Sequence, residues 1–185
     1  MRVAVISDTH HNVGRAGEVL DLIAPFDLLI HAGDGVGDLS ALAEAGAFQT
    51  AGVTGNEDAG GDYPPEATFT LSGLLCHVTH GHQFDLNPYA PADAWEKSAG
   101  DLAQRGIAVD ARMVIFGHTH RPHLSERDGV VLFNPGDLYP MAPHSHVGLI
   151  IIGAEGFEVS VTRCNRDNRC EVILSGSFPT RSDAR

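Results

Sequence analysis

The chain is poor in positive charge. Twelve Lys and Arg residues stand against 24 Asp and Glu, a formal net charge of -12 over 185 residues. Such a surface repels the nucleic-acid backbone and anionic lipid, so general nucleic-acid binding and membrane binding are excluded as its task. A phosphate-bearing ligand must then be drawn in by local charge, which bound divalent cations supply. Cysteine is also scarce: only Cys76, Cys164 and Cys170 occur. Cys76 falls within an apolar run and reads as a small buried hydrophobe. Cys164 and Cys170 lie close together, but the context reads cytosolic and no disulfide is expected between them. Long apolar runs are missing. None approaches the roughly 20 residues that span a bilayer. The chain opens directly on a strand pattern with no signal peptide ahead of it, and a cytoplasmic protein is expected.

What is present is enough for one domain with a full core, at 19.6 kDa and 43% hydrophobic residues. Aliphatic runs at 2–7, 28–32 and 48–54 alternate with helical spacing at 14–24 and 38–45, with Asp38 as side-chain cap of the second helix. That order argues a parallel sheet with right-handed crossovers. Residues 60–65 and 83–91 are loops, and 92–104 is helical with Trp95 and Leu102 facing inward. Hairpins are expected around Ser72-Gly73, Asp128-Gly129 and 154–156. Asn134-Pro-Gly-Asp137 is a turn.

The chemistry sits where aliphatic runs end. Met113-Val-Ile-Phe is followed by Gly117-His118-Thr119-His120. Four other runs end in Asp8-Thr9-His10, Gly33-Asp34, Gly55-Asn56-Glu57-Asp58 and Thr79-His80-Gly81-His82. In open α/β sheets, sites form just beyond the carboxyl ends of strands, so five such exits can converge. A lone Asp after a strand is more often a helix cap, and a lone His pair is more often surface. The repetition of the pattern overrides both. The donors are nitrogen and oxygen without thiolate, which favours Mn, Fe, Zn, Co or Ni over a cysteine-type structural zinc site.

In that order the five motifs resemble the calcineurin-like metallophosphoesterases, and most of all their small single-domain YfcE-like phosphodiesterases. The resemblance spans roughly the first 160 residues. It implies an α/β fold, a four-layer sandwich of two mixed β-sheets flanked by helices, with residues 1–164 as the metallophosphoesterase domain and 165–185 as a C-terminal tail. It implies two divalent metal ions, manganese first, with Fe, Zn, Ni or Co as alternatives. Asp8, His10, Asp34 and His120 would hold one ion. Asp34 would bridge to a second, completed by Asn56, His80 and His118, with Asn56, His80 and His118 also catalytic. The implied reaction is phosphoester hydrolysis, most of all of a phosphodiester, by a hydroxide bridging the two metals. The partner is a small phosphoester substrate, and no motif sets an oligomeric state.

His80 is preferred to His82 as the ligand because it directly precedes Gly81. His82 is left to support the site or meet substrate. Asp58 would orient a ligand histidine. Asn12 and Arg121 are near enough in sequence to touch phosphate. His31 and His77 lie within strands and read as packed or paired. His11, His123, His144 and His146 carry no motif.

This chain departs from the family at Glu57, where many members have a histidine thought to protonate the leaving group. A carboxylate there is a poor acid at neutral pH unless burial raises its pKa, and it repels anionic substrate. Diesters, or esters with good leaving groups, are therefore expected to be favoured over alkyl monoesters. The competing reading is a non-catalytic metal-binding or protein-interaction scaffold of the same fold, as in the retromer-subunit relatives. Those relatives have lost metal-site histidines that this chain keeps.

Overall fold

The computed structural model describes residues 1–59, 62–87 and 91–180. Residues 60–61 and 88–90 of the two expected loops, and the last five residues, lie outside the described residues. The first half alternates: β1 (Arg2–Ile6), α1 (Val13–Ile23), β2 (Leu28–His31), α2 (Asp38–Ala45) and β3 (Gln49–Gly52). The three strands lie side by side and parallel. β1 and β2 are continuous aliphatic runs, Val3 to Ile6 and Leu28 to Ile30, because they are covered on both faces. Ala16, Val19 and Leu20 form the buried stripe of α1, which ends ahead of Pro25.

The second half begins with β4 (Glu66–Leu71) and β5 (Leu74–Thr79), joined at Ser72-Gly73. Both turn residues have positive φ, as a two-residue hairpin turn requires. A 3₁₀ turn (His82–Phe84), α3 (Ala92–Ala108), β6 (Met113–Ile115), β7 (His123–Arg127) and β8 (Val130–Asn134) follow. β9 (Ser145–Ile152) then returns to lie antiparallel to β1. Beside it run β10 (Gly156–Cys164) and β11 (Cys170–Pro179). One sheet has the order β11-β10-β9-β1-β2-β3, the other β4-β5-β6-β8-β7.

Three apolar clusters set the layers. Val5, Ile30, Ile115, Phe133 and Ile150 fill the space between the sheets. Leu20 and Leu39 cover the outer face of the six-stranded sheet against Ile6 and Leu29. Leu102 and Ala103 cover the other sheet against Val114 and Leu132, with Trp95 half-buried beside them. The fold is thus the expected four-layer α/β sandwich. No helix among the described residues is long and apolar enough to cross a membrane.

Three local expectations are corrected. Asp38 does not cap α2. Gly37 precedes the helix, and the buried Asp38 carboxylate accepts the Thr9 hydroxyl at 2.6 Å, from the loop after β1. Residues 170–179, read as part of a tail, form the edge strand β11, paired along all of β10. Phe178 stacks on Phe157 at 5.4 Å, and Ile173 and Leu174 pack on the inter-sheet core. An edge strand needs apolar residues on one face only, so its composition stays mostly polar. Cys164 and Cys170 face each other across that hairpin and form a disulfide. The hairpin supplies the nearness that the spacing alone left open.

Ending the chain at Arg169 removes β11 and uncovers Phe157. Urea unfolding of that variant is expected to show a loss of about 2 kcal/mol or more. A change under about 0.5 kcal/mol, the scale of a surface substitution, would contradict a packed role for this strand.

Candidate metal centre

The parallel strands β1, β2 and β3 of one sheet and β5, β6 and β8 of the other bring their carboxyl ends together. At these exits Asp8, His10, Asp34, His118 and His120 all take left-handed backbone conformations, with φ between 45° and 66°. Each such residue costs about 1–3 kcal/mol and persists only where its surroundings enforce it, typically at functional sites. Backbone bonds do the enforcing. Asp8 N–H donates to Gly33 O (2.9 Å), His10 N–H to Asp34 O (3.2 Å) and Gly117 N–H to His80 O (2.9 Å). Gly117 must be glycine, since a Cβ there would strike the Ser7 and Asp8 side chains.

The converging donors form three overlapping groups, each with ligand atoms within 4.8 Å of one another: Asp8, His10 and His120; Asp34, His80 and His118; His10, Asp34 and Glu57. Asp34 and His10 each belong to two of them. His80 Nδ1 sits 2.8 Å from the Ala32 carbonyl, which holds a proton on that nitrogen and leaves Nε2 as a donor. His80 Nε2 lies 3.2 Å from Asp34 Oδ2, and His120 Nε2 lies 3.2 Å from Asp8 Oδ1. Neither pair is aligned as a hydrogen bond. Asp8 Oδ1, His10 Nε2, His80 Nε2 and His82 Nδ1 are buried without a hydrogen-bond partner. Buried unpaired lone pairs are costly, and a cation among them removes the cost. The residues present fit a metal centre of the nitrogen–oxygen type.

The electrostatics agree. Burial opposes charge on Asp34, but the neighbouring His80 outweighs it and holds the carboxyl at about 2. Burial likewise opposes charge on His80, yet the Asp34 and Asp8 carboxylates raise its pKa. The Asp137 and Asp8 carboxylates lift His120 to about 10. A cation competes with the proton for these imidazoles. His31, just beneath, is pulled to about 4 by burial and stays neutral. It is hydrogen-bonded to Thr9 Oγ1 and Gly33 N–H, a paired core histidine as expected. His77 is likewise paired, with Glu66 and Thr68.

Six of the seven expected ligands thus meet. Asn56 is exposed on the turn that carries Glu57, and its place rests on position alone. His82 lies 5.5 Å from His80 and 6.1 Å from His118 between ring centroids, at the margin. Two expectations are corrected. Asp58 supports no histidine. Its carboxylate accepts the N–H groups of Asp34, Gly35, Val36 and Gly55 at 2.7–3.2 Å and so shapes the Asp34 loop. Asn12 holds the Leu138 carbonyl at 2.8 Å rather than standing free for phosphate.

Asp137 was missed. Its two carboxylate oxygens lie 3.3 Å from His120 Nδ1 and 3.1 Å from His146 Nδ1. Its signal was legible: Val130-Val-Leu-Phe-Asn-Pro-Gly-Asp137 repeats the form of Leu28-Leu-Ile-His-Ala-Gly-Asp34. Asn134 ties the His-x-His loop down by donating to Gly117 O (2.7 Å) and Thr119 Oγ1 (3.1 Å). Asp58→Asn replaces an acceptor of four N–H groups with a half-donor. Calorimetric titration with Mn²⁺ is expected to show affinity about 10–100-fold weaker in a folded protein. Unchanged affinity would contradict the role given to Asp58.

Comparison with known proteins points the same way. The family model described as the calcineurin-like phosphoesterase superfamily domain matches residues 1–155. A probable metallophosphoesterase of Mycoplasma pneumoniae is 33% identical over 137 residues, 74% of this chain and 79% of that protein. The crystal structure of a predicted phosphoesterase from Streptococcus pneumoniae superposes with TM-score 0.72 at 25% identity, covering 97% of each chain. A zinc complex of Vps29 from Entamoeba histolytica shares the fold with TM-score 0.72 at 19% identity, over 96% of this chain and 99% of that one. The match runs through every strand exit described above, and the chain belongs to the calcineurin-like phosphoesterase superfamily, a family of metal-dependent phosphoesterases.

Proposed function

We propose that the protein is a phosphodiesterase working with two divalent cations. The observation that carries this reading is the two donor groups Asp8-His10-His120 and Asp34-His80-His118, linked by a third that holds His10 and Asp34, with buried unpaired atoms on Asp8, His10 and His80. Asp8, His10, Asp34 and His120 hold one cation; Asp34, Asn56, His80 and His118 hold the other. Manganese is the first ion to test, and the donor set also suits Fe, Zn, Ni or Co. When bound, two such ions supply Lewis-acid activation of water and neutralise phosphoryl oxygens.

The chain's own groups do the rest. Asp58 and Asn134 keep the Asp34 and His118 loops in place through the bonds described. Asn56, exposed beside the cluster, donates its amide to a phosphoryl oxygen. His118 and His80 present ring nitrogens from two strands of the second sheet, and the Ala32 carbonyl fixes the His80 tautomer. Glu57 sets the preference for diesters. Its carboxylate is 64% exposed and lies 3.1 Å from His10 Nδ1, so it is engaged with a ligand histidine. An anion at that place repels a dianionic monoester more than a monoanionic diester.

The second reading, a metal-binding or interaction scaffold, draws on the shared fold of Vps29. The nearly complete donor set argues against it. One assay separates the two. With Mn²⁺, an aryl phosphodiester is expected to be cleaved with kcat/KM about tenfold or more above an alkyl monophosphate. Asn56→Ala and His118→Ala are each expected to lower diester turnover about 100-fold or more. Glu57→His is expected to raise monoester turnover. Bound metal with no turnover of either ester would favour the scaffold; a strong preference for the alkyl monoester would overturn diester specificity.

A further inference from the structure

Beside the donor cluster the chain makes an exposed turn. Ala142 N–H donates to the Tyr139 carbonyl at 3.0 Å, with Pro140 at the second position. The base of the turn is tied to the site. Leu138 is buried, its N–H donates to the Asp8 carbonyl (3.3 Å), and its own carbonyl accepts the Asn12 amide. The Tyr139 ring stands edge-on to His10 with centroids 4.9 Å apart, and lies 5.6 Å from the ring of His120. Tyr139 is nonetheless 40% exposed and Met141, two residues on, is 77% exposed. Met141 is the most exposed large hydrophobic among the described residues. Neither side chain belongs to any of the three apolar clusters, so core packing does not account for them.

On the phosphoesterase reading, on which this inference rests, the reacting phosphate sits against His10 and His120. The organic group attached to that phosphate then lies against whatever flanks those two rings. What flanks them is an aromatic ring, with an exposed thioether at the tip of the same turn. Both favour a flat π system: an aromatic side chain stacks a base of any sequence, and a thioether adapts to an aromatic edge. A second phosphate gains nothing there, and Glu57 beside His10 repels it. We propose that Tyr139 and Met141 form a platform for a heteroaromatic ring of the substrate. The substrate class is then a phosphodiester whose alcohol carries a nucleobase-type group.

Two esters with the same charge and leaving group isolate this effect: thymidine 5′-(4-nitrophenyl phosphate) and ethyl 4-nitrophenyl phosphate. The Mn²⁺-loaded protein is expected to favour the nucleoside ester by about tenfold in kcat/KM, mostly through KM, a modest demand on one stacked base. The double variant Tyr139→Ala/Met141→Ala is expected to lose that preference, and Tyr139→Phe to keep it. A double variant with undiminished preference, or a wild-type protein with none, overturns the proposal. Turnover of neither ester by the wild-type protein sinks the phosphoesterase reading instead. The platform is then judged by calorimetric binding of thymidine 5′-monophosphate, expected to weaken about tenfold in the double variant and overturned by equal binding. Thermal unfolding of each variant checks that the fold is kept.

Discussion

Asp34 is the residue on which the site depends. One carboxylate oxygen accepts the Glu57 N–H at 2.8 Å, and the other faces His80 Nε2 at 3.2 Å. Its place in one donor group with His80 and His118 ties the first sheet to the second at the level of chemistry. It sits just beyond a four-residue strand and would be free to swing without Asp58. The Asp58 carboxylate takes four backbone N–H groups, three of them from the Asp34 loop, and turns that loop into a fixed mount. The Asp34 donor is thus held in place by an anion that belongs to none of the donor groups.

The two-sheet architecture supplies what a single sheet lacks. Strands β1 and β2 bring Asp8, His10 and Asp34; β5 and β6 bring His80, His118 and His120. Only together do they make the donor groups Asp8-His10-His120 and Asp34-His80-His118. The inter-sheet core, with Phe133, Ile115, Ile30 and Val5 wholly buried, fixes the spacing between them. That rigidity holds five left-handed Asp and His residues in place, each in a conformation that a free chain would leave. All five belong to the donor groups.

Much of this was legible because it is written as local pattern. Aliphatic runs that are buried on both faces declare their strands, and donor residues at five strand exits declare a shared site. Ser72-Gly73 and Asp128-Gly129 announced their hairpins through turn chemistry. What stayed hidden depends on partners remote in sequence. Asp58 acts on N–H groups more than 20 residues away, and Asp137 on His120 and His146 from a third strand exit of the second sheet. β11 was hidden because one-sided burial leaves a polar composition, and the Cys164–Cys170 bridge followed from the hairpin that β11 completes. Tyr139 and Met141 carry no motif; only their exposure beside His10 gives them meaning.

The most direct measurement is anomalous scattering from crystals grown with manganese. The account predicts two peaks about 3.5–4 Å apart, both within bonding distance of Asp34, with Asp8, His10 and His120 around one and His80 and His118 around the other. A single peak, peaks that leave Asp34 uncoordinated, or no ordered manganese at all would contradict it.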